Sequence, residues 1–190
     1  MSKCVEITEA VPDPAVRQAL EEFWPMFFNS RSLCVYLPEK MIGREYFAPG
    51  TFYCATSPYN YVQLKVPLSE QVRSEHNRIA AWTNENFFIR LWAILASHGF
   101  TKPIRSGIRG SAEVKLLKKL REHFAHGSGQ YDKRKQEHRN LHKELRKLFT
   151  VPDEHDGIPT NIDTVLEPMY KRCLDYVEDV LNLRPRISDS

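Results

Sequence analysis

The chain has 190 residues, 42% of them hydrophobic and 27% charged, yet a formal net charge of only +3. That is enough apolar content for one domain with a sizeable core, and no apolar run approaches the ~18 residues that a membrane crossing needs. Four cysteines (Cys4, Cys34, Cys54 and Cys173) lack any CxxC spacing, and the first residues carry no apolar leader segment. The expectation is reduced thiols in a cytoplasmic protein rather than a disulfide scaffold or a structural zinc site.

Cys4 to Thr8 alternates briefly in the manner of a strand. Asp13-Pro14 opens the first predicted helix, with Val16, Leu20, Phe23, Trp24 and Phe27 as its apolar face and Pro25 as an expected kink. From Arg31 to Pro67, six Pro and Gly positions divide the chain into short pieces. There Thr51 to Cys54 and Tyr59 to Val66 have the content of a small hairpin. Tyr46, Tyr53, Tyr59 and Tyr61, with Lys40, Arg44 and Lys65 nearby, have the chemistry to stack on bases and meet phosphates. A plain loop layer over the helices is the simpler reading.

Ser69 caps a long helix predicted over Glu70 to His98, stopped by Gly99. Its expected buried stripe is Val72, Ile79, Trp82, Ile89, Trp92 and Leu95, with both tryptophans anchoring the core. Asn84, Glu85 and Asn86 interrupt that pattern. Next, Arg105, Gly107, Arg109 and Gly110 resemble a phosphate nest without a P-loop ending, and a helix connector explains them as well.

Positive charge gathers between Ser111 and Phe149. Eleven lysines and arginines stand there against five carboxylates, a net +6 in a chain of net +3. Such concentration suits a polyanion-facing surface, although a solvated basic face would look the same. Ser111 is the expected cap of a helix that buries Val114, Leu117, Leu120 and Phe124. A second basic helix is expected from about Asp132, with Leu141, Leu145, Leu148 and Phe149 as its stripe. His138 and His142 lie four apart on it, but with no HExxH pattern no metal site is assigned. Thr160 and Asp163 read as a capping box for a last helix to about Leu183, burying Val165, Met169, Cys173, Val177 and Val180. Residues 184–190 read as a tail.

The first basic helix ends in Arg121-Glu122-His123-Phe124-Ala125-His126-Gly127. On a regular helix, side chains five apart point about 140° away from each other. Arg121 and His126 are therefore expected to converge only if the helix stops near Ala125 or if two copies combine. The run LREHFAHGSG resembles the signature of HEPN domains, an arginine followed after four to six residues by a histidine at a helix end. The resemblance covers at most about 69–181, and Glu122 departs from the Asn, Asp or His common after the arginine.

The pattern predicts an all-α fold: an up-and-down bundle of about five helices with a small irregular or hairpin insertion after the first, forming one domain over residues 1–183. The resemblance implies a metal-independent, cofactor-free endoribonuclease acting on RNA, single-stranded by expectation, as a homodimer with a composite site. It further implies a toxin or defence effector with a cognate antitoxin. Arg121 would clamp phosphate and His126 would move protons, with Lys118, Lys119, Tyr131 and Lys135 contacting substrate. A non-catalytic HEPN-like module that binds nucleic acid or a protein partner is the alternative.

Overall fold

The computed structural model describes residues 11–32, 34, 36–37, 39–43, 46–50, 60–64, 68–126, 132–151 and 157–183. Among them are five α-helices: α1 (Val16–Ser32), α2 (Glu70–Ser97), α3 (Ser111–His126), α4 (Gln136–Leu148) and α5 (Glu167–Asn182). A two-stranded antiparallel sheet, β1 (Tyr46–Gly50) with β2 (Asn60–Leu64), is inserted between α1 and α2, pairing Tyr46 with Leu64 and Gly50 with Asn60. The fold is an all-α bundle with a hairpin insertion. No described helix is long and apolar enough to cross a membrane.

One contiguous core draws on every helix. Val16, Leu20, Phe23 and Phe27 of α1 meet Phe87, Phe88, Leu91 and Leu95 of α2. Val114, Leu117, Leu120 and Phe124 of α3 join them, with Leu141 and Leu145 of α4 and Met169, Cys173, Val177 and Val180 of α5. The stripes expected for α3 and α5 are thus the ones buried, as is that of α1 apart from the partly buried Trp24, and α1 continues on both sides of Pro25. Each of these helices has one apolar and one wet face, so its periodicity admits one solution. Burial pushes the Cys173 thiol far up, which keeps it protonated and inert.

Several expectations are corrected. The buried face of α2 is Ala80, Asn84, Phe87, Phe88, Leu91 and Leu95, whereas Val72, Ile79 and Trp82 are exposed and Trp92 is only partly buried. Apolar residues occur all around this helix, so its partners select the inner face. The first hairpin arm is Tyr46–Gly50 rather than Thr51 to Cys54, which lies outside the described residues, as do Cys4 to Thr8, Arg44, Tyr53, Tyr59 and Lys65. Thr160 and Asp163 do not form a capping box. Asn161 precedes a π-type turn, Ile162–Leu166, that runs into α5. Gly110, not Ser111, stands before the first turn of α3, its carbonyl accepting from the Val114 N–H at 2.9 Å.

Ser69 does cap α2, its Oγ accepting from the Val72 N–H at 3.2 Å, and Gly99 closes that helix at φ +80°. Polar side chains then staple the layers. Asn84 accepts from Arg31 Nε at 2.8 Å and donates to the Thr160 carbonyl at 2.9 Å, joining α1, α2 and the approach to α5. Asn77 donates to the Leu37 carbonyl and accepts from the Leu37 N–H, fixing the start of the insertion to α2. At the start of α3, Gly110 has φ +72°, and a Cβ there would collide with the Arg172 carbonyl of α5. This close approach sets where α3 lies, and therefore where its far end points.

Candidate functional site

That far end opens onto a groove of about 840 Å³ shared with the beginning of α4. Arg121, His123 and His126 line it from α3; Lys135, His138 and Glu144 line it from the α4 side. Phe124, buried and stacked on Phe88 of α2 with ring centroids 5.4 Å apart, anchors the last turn of α3 to the core. The residues on either side of it are thereby held at the groove.

Helix α3 runs unbroken through His126, yet Arg121 Nη1 stands 3.4 Å from His126 Nε2, a long contact. The expectation that one regular helix could not bring the pair together is corrected. It considered the direction of each Cα–Cβ bond and neglected the reach of the arginine. Two copies of the chain are not needed to join these groups. A guanidinium only donates, so in this contact Nε2 is the lone-pair nitrogen of the imidazole. Arg121 is half-buried and His126 is exposed.

The α4 side is set by a tight turn. Asp132 accepts from the Arg134 N–H at 2.9 Å and from Arg134 Nε at 3.1 Å, and these bonds hold its carboxyl below the usual carboxylate range. The Asp132 N–H in turn donates to His138 Nδ1 at 2.8 Å. With Nδ1 accepting, His138 carries its proton on Nε2. The His138 ring is buried and meets the His123 ring edge-on, centroids 4.7 Å apart. A second clasp between the helices is Lys119, whose Nζ lies 2.6 Å and 2.8 Å from the two Glu144 carboxylate oxygens.

The remaining expected site residues are placed as follows. Lys119 and Lys135 line the groove. Lys118 is not among the lining residues and lies 4.0 Å from Glu122. Tyr131 and Gly127 lie outside the described residues. Three carboxylates, Glu122, Glu137 and Glu144, share the groove with the cations, so its lining is of mixed sign. Among the described residues no three His, Cys, Asp or Glu side chains are grouped to hold a metal ion.

The Asn84-Glu85-Asn86 trio does not line this groove. In the Gly107–Gly110 connector, Arg109 grips Asp179 at 2.6 Å, and the Arg105 N–H donates to the Tyr176 hydroxyl at 2.9 Å. Sequence reasoning set His138 near His123 and His126, as the structure has it, but gave it no part beside the Arg121–His126 pair. The available signal was its place on the apolar stripe with Leu141 and Leu145, which implied burial against α3.

No family model matches the chain, and neither a curated protein nor a solved structure is significantly similar to it.

Proposed function

We propose that the chain is a metal-independent endoribonuclease of HEPN type whose reaction centre is the groove at the end of α3. The observation that carries this reading is the approach of Arg121 Nη1 to His126 Nε2 at 3.4 Å on the wall of an open groove. Transesterification of RNA needs a base for the 2′-hydroxyl, a proton for the departing 5′-oxygen and positive charge at the phosphorane. The lone pair of His126 Nε2 takes the 2′-OH proton as the 2′-oxygen bonds to phosphorus. The phosphorus–O5′ bond then breaks, and the same proton returns through groove water to the 5′-oxygen. Arg121 moves its donors from His126 to two phosphoryl oxygens, which both clamps the phosphate and frees the base. His138, with its proton fixed on Nε2, adds a neutral donor to the same wall, and Lys135 attracts the strand.

One feature favours a second reading. Glu122, Glu137 and Glu144 oppose a polyanion at close range, as expected of a helical module that binds a partner of mixed charge without turnover. Incubating purified protein with single-stranded RNA in EDTA separates the two. The nuclease reading expects cleavage that His126→Ala reduces at least ~100-fold. Equal cleavage by that variant removes His126 from the reaction, and binding without cleavage by the wild type supports the second reading.

A further inference from the structure

The carboxylates of the groove are not equivalent. Glu144 answers Lys119 at 2.6 Å, and Glu122 faces Lys118 at 4.0 Å. Glu137, in the first turn of α4, has no such counter-charge. Its side chain is 77% exposed, and among the described residues its one basic neighbour within 4 Å is His138 Nε2, at 3.9 Å. That is too far for a hydrogen bond, so both carboxylate oxygens are left to face the groove.

One turn along, a relay of amides fixes which way Asn140 points. Arg139 Nη1 donates to the Lys133 and Arg134 carbonyls at 2.8 and 2.9 Å, and its Nη2 donates to Gln136 Oε1 at 2.5 Å. A guanidinium offers no lone pair, so Gln136 turns its oxygen to Arg139 and its nitrogen away. That Nε2 donates to Asn140 Oδ1 at 2.7 Å, which leaves the Nδ2 hydrogens of Asn140 unclaimed among the described residues. Asn140 and Glu137 both line the groove and, three residues apart, are neighbours on one helix face. This wall therefore shows an oriented donor beside two acceptor oxygens.

We propose that Glu137 and Asn140 form a base-reading subsite that selects guanine beside the scissile phosphate. Along its Watson–Crick edge guanine presents O6 as an acceptor, then N1–H and N2–H as two adjacent donors. Asn140 Nδ2 matches the first and the Glu137 carboxylate the other two. No other RNA base sets two donors side by side. Uracil offers acceptor, donor, acceptor; cytosine offers a donor and two acceptors; adenine offers a donor and a ring nitrogen. Against each of these a carboxylate oxygen meets a lone pair, which is costly. The groove, at about 840 Å³, has room for a base as well as its phosphate, and Arg121 and Lys135 remain to meet the latter. The inference rests on the groove being an RNA site and adds the identity of the base.

Equilibrium binding of nucleoside 3′,5′-bisphosphates to the full chain tests it without turnover, since these probes carry phosphate on both sides and no cleavable diester. The guanosine probe is expected to bind at least ~tenfold tighter than those of adenosine, cytidine and uridine, with inosine, which lacks the 2-amino group, between them. Glu137→Gln, checked for folding by circular dichroism, should bring the guanosine-to-adenosine ratio to within about twofold of unity. Removing the charge favours every anionic probe alike, so the ratio is the readout. Asn140→Asp, which sets a carboxylate against O6, should also lower that ratio. Glu137 also complements the dipole of α4, and were that its whole role the ratio would survive Glu137→Gln. Such survival overturns the proposal, as does a wild type that binds none of the probes or binds all bases equally. Guanine-selective binding with no RNA cleavage would keep this subsite and remove the nuclease, whereas cleavage with base-indifferent binding would do the reverse.

Discussion

At the start of α3, Gly110 touches α5 so closely that no side chain fits, and Arg109 is held by Asp175 and Asp179. At its end, Arg121, His123 and His126 border about 840 Å³ of open groove. The same helix thus has one end saturated by contacts and one end left with imidazole and guanidinium groups facing a space. The contrast teaches that the first end should govern stability and the second chemistry, with little exchange between them.

The largest effect is expected at the packed end. Gly110→Ala adds a Cβ at a positive φ and against a backbone carbonyl, which should cost at least ~3 kcal/mol or prevent folding outright, as read by urea denaturation. At the groove end, His126→Ala should leave the melting temperature within a degree or two of wild type while RNA cleavage falls ~100-fold. A large loss of stability there would break the comparison. Asn84→Ala should cost about 2 kcal/mol by leaving Arg31 and the Thr160 carbonyl without their bonds.

The smallest effects are in pH dependence. Arg109 holds the Asp179 carboxyl below the usual carboxylate range. Its stabilisation is therefore present above the unfolded value near pH 4 and fades as pH falls through the lower folded value. Asp179→Asn should remove that part of the acid sensitivity of thermal unfolding. Glu85 has the opposite sign, since burial raises its carboxyl. Its contribution is present below the unfolded value and is lost as pH rises through the folded one, so Glu85→Gln should raise the melting temperature at neutral pH more than in acid.

How much of this was legible in the sequence depended on the contrast between faces. Helices α3 and α5 alternate wet and apolar residues, and their buried stripes followed from spacing. Helix α2 is apolar on several faces, and the one chosen by periodicity turned out to carry the exposed Trp82. Asn84 looked like an interruption because its partners, Arg31 and Thr160, are 53 and 76 residues away. At the candidate site the Arg121–His126 spacing was visible, but their approach depends on the path of a long side chain. That Glu144 engages Lys119, and that Asp132 sets the tautomer of His138, are contacts made by the fold and written in no local motif.

The most direct test of the groove's role is the chemistry of the ends it leaves. Mapping the termini of RNA cut in EDTA by the wild type, beside Arg121→Ala, should show 2′,3′-cyclic phosphate and 5′-hydroxyl ends that fade in the variant. Termini bearing 5′-phosphate and 3′-hydroxyl, or identical products at an identical rate from Arg121→Ala, would contradict attack by the 2′-oxygen at a phosphate held by this arginine.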